Sequence, residues 1–334
     1  MTDSRPDVEE TFKDVLRGWR QKINERLANI VETQKPALLY EPIRYVLQGG
    51  GKRIRPVMVL LSCQAVGGKP EWALDAAVAV ELVHNFTLVH DDIMDEDDKR
   101  RGRLTLHKKW NQALAILAGD GLFALSYQTL LRTQSARIHE ITNIFTNGIL
   151  AVCEGQALDL EFEKREAVGL DDYLAMIQKK TARLLAISAE IGALIGNGGA
   201  DEVKALGDFA NNLGCAFQIQ DDLLDITSNE GTLGKTFGSD IQQRKQTYLL
   251  VHAWRHADSD SKAQLQQLLS ETEFNHAQVA AVKSIFDRVG SIQSAKAAIK
   301  QYTAAAEKSL EQLGYTLAKE KLMSLLRYVS TRIS

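Results

Sequence analysis

Apolar residues recur at three- and four-residue steps along almost the whole chain. Val8, Phe12, Val15, Leu16, Trp19, Ile23 and Leu27 place a stripe on one face of a first predicted helix. Ala73 to Val89 is apolar on most faces, the pattern of a helix in the middle of a bundle rather than on its surface. Further helices are predicted at about 113–133, 137–163, 171–196, 201–225 and 240–256, with three more to the C-terminus. Breaks fall at Gly67-Gly68, Gly196 to Gly199, and Asn229 to Ser239. Strand signals are nearly absent, because Val, Ile and Thr rarely alternate with polar residues. With no linker, repeat or low-complexity tract, the pattern predicts one all-α domain over residues 1–334, a single large bundle of ten or more helices.

Composition strengthens that picture. All five prolines (Pro6, Pro36, Pro42, Pro56, Pro70) lie in the first 70 positions, where Pro42 and Pro56 suit the first turns of short helices. From Glu71 onward there is none, although average usage would put roughly a dozen there. Long helices, which exclude interior proline, account for the gap. A net charge of −3 gives no nucleic-acid footprint. The three cysteines, Cys63, Cys153 and Cys215, are scattered without CxxC spacing, as expected of buried thiols in a reducing compartment. The acidic N-terminus is not a signal peptide. Leu184 to Gly196, read as the longest nearly uncharged stretch, is too short to span a membrane. A soluble cytoplasmic protein with no transmembrane segment is expected.

Two acidic clusters stand out. His90-Asp91-Asp92-Ile93-Met94-Asp95 and Gln220-Asp221-Asp222-Leu223-Leu224-Asp225 each end an apolar helical run, and each contains DDxxD. Positions i and i+4 share a helix face, so Asp91 aligns with Asp95 and Asp221 with Asp225. Like charges so placed repel, and more strongly near an apolar interior unless a cation neutralises them. Hard divalent cations take all-oxygen ligands, and Mg²⁺ completes its shell with phosphate oxygens. A single DDxxD reads as a solvated helix end. Two copies, each after an apolar helix, point to a polymetal site for a polyphosphate.

A diphosphate also needs fixed cations. Gly49-Gly50-Gly51-Lys52-Arg53-Ile54-Arg55-Pro56 offers a glycine turn, three bases and a helix start, although it is not a Walker A loop. Arg100 and Arg101 follow the first cluster, where ion pairs to Glu96, Asp97 and Asp98 are the ordinary expectation. Lys180-Thr181, Lys235 and Lys245 are weak signals alone. Lys235 and Asp240 lie in the glycine-rich loop after the second cluster, where a mobile lid is expected. His84 lies about two turns before Asp91, on nearly the same face.

Taken together, GGGKRIRP, HDDIMDEDDKRRG, KKTA at 179–182 and FQIQDDLLDITSNEGTLGKTFGSDI resemble, in order, the trans-isoprenyl diphosphate synthases. The resemblance covers about Gly49 to Lys245. It implies an all-helical fold around a central cavity, a homodimer, and three Mg²⁺ ions. Asp91 and Asp95 would hold two ions and Asp221 the third, with Asp92, Asp222 and Asp225 supporting. Lys52, Arg55, His84 and Arg101 would bind isopentenyl diphosphate. Arg100, Lys180, Gln218, Lys235 and Lys245 would bind the allylic diphosphate, with Thr181 and Gln218 facing the developing allylic cation.

Product length would be set on the helix before the first cluster. Phe86 lies five residues before Asp91, about 7.5 Å along the axis, and would act as a bulky floor. In the family an aromatic there favours short products. With Thr87 beside it and a compact first DDxxD, the resemblance leans toward geranylgeranyl diphosphate, with farnesyl or longer products as alternatives. Two other classes compete. Glu81-x-x-His84 and Glu273-x-x-His276 match the ExxH of di-iron bundles, but that reading leaves both DDxxD clusters unexplained. A class I terpene cyclase shares the ionisation chemistry but has no need of GGGKRIRP.

Overall fold

The structure, a computed structural model, describes residues 8–165, 167–227, 239–243, 245–270 and 276–330. Along the chain the helices are α1 (Val8–Val31), α2 (Ala37–Leu47), α3 (Ile54–Ala65), α4 (Leu74–Met94), α5 (Leu106–Lys109), α6 (Gln112–Leu130), α7 (Ile138–Phe162) and α8 (Leu170–Ile177). They continue as α9 (Arg183–Ile195), α10 (Ala200–Thr227), α11 (Ser239–Gln242), α12 (Tyr248–His256), α13 (Ser259–Ser270), α14 (His276–Arg288), α15 (Ser291–Glu311) and α16 (Leu317–Ser330). The only sheet among the described residues is an antiparallel hairpin, β1 (Lys99–Arg100) with β2 (Arg103–Leu104). The fold is all-α with more than ten helices, as the periodicity predicts.

The chain forms two compact units. The first gathers the described residues of Met1–Ile149, Leu184–Gly207 and Leu310–Leu325. Its centre is α4, whose Ala76 to Val80, Leu82 and Val83 are wholly buried, as an all-round apolar helix must be. It packs against α3 and α6, which contribute Val57 to Leu61 and Ala115, Ala118 and Leu122. Asn111 caps α6, its Oδ1 accepting from the Leu114 amide at 2.9 Å. The second unit gathers Leu150–Arg183, Asp208–Ser309 and the described residues of Leu326–Ser334. Tyr173 of α8, Ile219 and Leu223 of α10, Leu249 of α12 and Phe286 of α14 build its core.

Four details depart from the sequence reading. Pro42 sits inside α2 rather than in its first turn. The carbonyl it leaves without its i+4 donor belongs to Leu38, an exposed residue near the start of the helix. The helix expected at 240–256 is two, because Thr247 caps a fresh start, its Oγ1 accepting from the Leu250 amide. Four helices rather than three follow α12. Finally, Leu184 to Gly196 is not the longest apolar stretch. The helices over Pro70–Met94 and Gln112–Leu130 are long and apolar enough to cross a membrane by length and composition. The first is mostly buried inside its unit, while α6 keeps much of its apolar surface exposed.

Close packing in the first unit depends on small residues where helices touch. Gly192 of α9 rests on the Val59 carbonyl of α3, with no space for a Cβ. Helix propensity favours Ala over Gly by about 1 kcal/mol, but overpacking costs about 1–3 kcal/mol. Gly192→Ala is therefore expected to destabilise, lowering the urea midpoint. A raised midpoint would show that α3 and α9 separate freely.

Candidate active site

The first unit carries the glycine turn, the hairpin and the first aspartate cluster. Gly50 and Gly51 adopt φ of 72° and 138°, conformations open to glycine, and Arg53 follows in the left-handed region at φ 55°. This bend precedes α3, leaving Lys52 exposed, Arg53 buried and Arg55 half-buried. The Arg101-Gly102 pair makes the two-residue hairpin turn, with φ of 52° and 74° as a type I′ turn requires. From there the Arg101 guanidinium donates to the Gly50 carbonyl, joining the hairpin to the glycine turn.

Arg55 Nη1 lies 3.2 Å from His84 Nε2. A guanidinium can only donate, so Nε2 accepts and the neutral His84 carries its proton on Nδ1. Burial holds the His84 pKa well below its usual range, reinforced by Arg55, Arg101, Arg100 and Arg53. Of these four arginines, Arg53 and Arg100 are ion-paired to Glu81 and Asp92, and the neutral imidazole adds no further charge beside them.

Within the first cluster the aspartates divide. Asp91 and Asp95 remain partly exposed, while Asp92 is buried and takes the Arg100 guanidinium. Burial pushes the Asp92 carboxyl up to about 6, outweighing the Arg100 charge beside it. Arg100 also reaches Asp97 at 3.6 Å, whereas Asp98 pairs with Lys108 at 2.8 Å. Phe86 meets His90 edge-on (4.8 Å between centroids) and Phe123 of α6 at a tilt (5.3 Å). The Thr87 hydroxyl folds back to donate to the His84 carbonyl at 2.9 Å.

The second unit builds a connected chain of polar groups. Thr181 Oγ1 donates to Gln218 Oε1 at 2.8 Å, and Gln218 Nε2 donates to Asp222 Oδ1 at 3.0 Å. The Tyr173 hydroxyl and the Tyr248 amide donate to Asp222 Oδ2 at 2.6 and 2.9 Å. Lys180 Nζ pairs with Asp159 Oδ2 at 2.5 Å. Lys180 and Thr181 lie on a π-helical turn, Gln178–Ala182, inserted between α8 and α9. Such a turn shifts the helical register and is frequent at functional sites. Asp225 accepts from the Asp240 amide at 3.1 Å, and the Lys245 amide donates to the Asp240 carbonyl at 2.9 Å. Lys235 and Glu273 lie outside the described residues.

Each unit thus assembles its own set. The first pairs Arg55 with His84, Arg100 with Asp92 and Arg101 with the Gly50 carbonyl; the second links Thr181, Gln218 and Asp222 and ties Asp225 to the Asp240 amide. Sequence reading weighed Glu81 only as part of an ExxH pair and missed that it takes the buried Arg53; it missed Asp159 and Tyr173, which bond Lys180 and Asp222, altogether. An acidic residue at a buried position of α7 was the available signal for Asp159. Nothing distinguishes Tyr173 from an ordinary core aromatic. Gln156, on α7 one turn before Asp159, buries an amide with neither Oε1 nor Nε2 bonded.

Burial, then the Asp240 charge, raises the Asp222 carboxyl to about 7 against three donated hydrogen bonds. Its unfolded value is 3.8, so between these the folded state holds the extra proton and loses stability as pH rises. In metal-free protein, the stability difference between wild type and Asp222→Asn should fall across that window. Denaturant titrations from pH 4 to about 8 measure it. A flat difference would mean that Asp222 stays ionised.

Comparison with known proteins agrees with these motifs. The polyprenyl synthetase family profile matches residues 36–289. A short chain isoprenyl diphosphate synthase of Methanothermobacter thermautotrophicus is 38% identical over 320 residues, covering 96% of this chain and 98% of that protein. A geranylgeranyl diphosphate synthase of Methanosarcina mazei is 37% identical over 326 residues, covering 96% and 98%. The crystal structure of geranylgeranyl pyrophosphate synthetase from Pyrococcus horikoshii superposes with a TM-score of 0.91 at 36% identity, covering 96% and 99%. Two DDxxD clusters on α4 and α10, with an arginine-lined glycine turn, therefore sit in a chain that belongs to the polyprenyl synthetase family.

Proposed function

We propose that the chain condenses isopentenyl diphosphate with an allylic diphosphate, head to tail, and releases geranylgeranyl diphosphate. The observation that carries this reading is the Thr181–Gln218–Asp222 chain, which ties a hydroxyl and an amide to the second aspartate cluster. The names of the relatives support the product, and the family match across both units supports one synthase domain over 1–334.

The donor set suits Mg²⁺. Asp91, Asp95 and Asp221 offer oxygen only, and each is partly exposed. Among the described residues no three His, Cys, Asp or Glu side chains converge as a ready cluster. Mg²⁺ itself takes few carboxylates and completes its shell with water and phosphate. In this reading Asp91 and Asp95 hold two ions and Asp221 the third, and bound Mg²⁺ supplies Lewis-acid stabilisation of diphosphate charge.

The side chains do the rest. Lys180, Lys235, Lys245 and Arg100 hold the allylic diphosphate as its C1′–O bond breaks. Asp159 fixes the Lys180 ammonium, so its charge is in place beforehand. Thr181 and Gln218 face the allylic cation with oxygen dipoles. Lys52, Arg55, Arg101 and neutral His84 hold isopentenyl diphosphate so that its C4 attacks C1′. The proton lost from its C2 goes to the released diphosphate. Asp92, Asp222 and Asp225 keep the clusters in position through Arg100, Tyr173, Tyr248 and Asp240. Cys63 and Cys215 are buried thiols, as the sequence suggests, whereas Cys153 is exposed.

A second copy of the chain is the partner in this reading. Ile116, Leu117, Phe123 and Leu131 lie at helical spacing along one exposed apolar face of α6. Leu117→Lys should shift the solution mass from twice 37.1 kDa toward a single chain in light scattering. A wild-type monomer would remove the homodimer. Product chromatography with each allylic primer in Mg²⁺ tests the function itself. A hydrocarbon from the allylic substrate alone would mean a cyclase. In the same assay Phe86→Ala should lengthen the product, and an unchanged length would remove Phe86 as the floor.

A further inference from the structure

The glycine turn carries three bases, and the structure separates one from the other two. Arg53 is buried, with its side chain 1% exposed, and it points away from solvent. Its Nη1 donates to Glu81 Oε1 of α4 at 2.5 Å, its Nε to Asn24 Oδ1 of α1 at 2.9 Å, and its Nη2 to the Leu47 carbonyl at 3.0 Å. Every nitrogen of the guanidinium makes a bond inside the protein, and its burial keeps the group away from solvent. Glu81 is 3% exposed and takes a further donor, Asn85 Nδ2 at 3.3 Å, while that same amide bonds the Glu81 carbonyl at 2.7 Å. Two arginines two residues apart on the turn therefore dock on two α4 side chains three residues apart. Arg53 meets Glu81, and Arg55 meets His84.

The backbone at Arg53 is in the left-handed region, φ 55° and ψ 36°, where a residue with a Cβ is disfavoured. That conformation ends the glycine turn and starts α3, and it fixes the directions of Lys52 before it and Arg55 after it. A strained residue persists where its surroundings over-determine it. Here the surroundings are one buried carboxylate, one amide oxygen and one carbonyl, drawn from three different segments.

We propose that Arg53 is the positioning residue of the isopentenyl diphosphate site. Its buried contact with Glu81 holds the 50–53 turn in the geometry that presents Lys52 and Arg55 to the diphosphate. The inference rests on the reading that Lys52 and Arg55 bind that substrate. It assigns Arg53 no contact with either substrate.

Steady-state kinetics with each substrate varied separately tests it. Arg53→Gly suits φ 55° better than arginine, so a loss in this variant reports the side chain and not the backbone. It should raise KM for isopentenyl diphosphate at least tenfold while KM for the allylic diphosphate stays within about twofold. Glu81→Gln should shift the same constant in the same direction. Arg53→Lys keeps the charge opposite Glu81 and should recover part of the loss. The double variant Arg53→Met/Glu81→Leu removes both buried charges together, which protects folding, and should keep the raised KM for isopentenyl diphosphate. Restoration of the wild-type constant in the double variant would overturn the proposal. So would lowered kcat with both KM values unchanged in Arg53→Gly, since that is the signature of a lost folded fraction. Lys52→Ala and Arg55→Ala separate the two layers. If they raise KM for isopentenyl diphosphate and the Arg53 variants do not, only the positioning role falls. If they leave it unchanged, the substrate assignment falls and the positioning role with it.

Discussion

A carboxylate at the end of an apolar helix must be compensated before the rest of the chain can settle around it. Asp92 and Asp222 occupy equivalent places in their DDxxD clusters, and both are buried. The compensation differs. Asp92 receives a guanidinium from β1, which fixes where the hairpin lies and hence where Arg101 reaches. Asp222 receives a phenol, a backbone amide and a side-chain amide. The backbone amide is that of Tyr248, the first residue of α12, so the start of that helix is tied to the acidic cluster. Of the outer aspartates, Asp91, Asp95 and Asp221 stay partly exposed, whereas Asp225 is buried and takes the Asp240 amide.

The helical framework was legible because period and composition carry it. The ranges read for α6, α7 and α10 differ from the observed ones by a few residues, since apolar spacing and glycine breaks mark them directly. Local chemistry that competes with period was less legible. Thr247 looks like an ordinary helix residue until its hydroxyl is seen capping α12. Pro42 looks like a helix start, yet it lies inside α2, one turn after the exposed Leu38. The hairpin at Lys99–Leu104 has only two residues per strand, too few to show alternation.

In the site, the motif residues were legible and their supports were not. Asp91, Asp95 and Asp221 announce themselves by spacing. Asp159, Tyr173 and Glu81 act through partners distant in sequence, and no spacing rule connects Glu81 with Arg53 or Asp159 with Lys180. The same contacts dispose of the di-iron reading. Glu81 and His84, its first ExxH pair, are engaged by Arg53 and Arg55 rather than turned toward a shared metal.

Among the described residues, Arg53, Glu96, Arg101 and Asn197 are the non-glycine positions with left-handed backbone. Three of the four lie in the glycine turn or just after the first aspartate cluster. Glycine would be more comfortable at each of them. At Arg53, however, losing the guanidinium would leave the buried Glu81 carboxylate uncompensated, a loss of about 3–5 kcal/mol that outweighs a backbone relief of about 1 kcal/mol. The left-handed angle at Arg53 is thus kept by a side chain whose removal would cost more than the angle does.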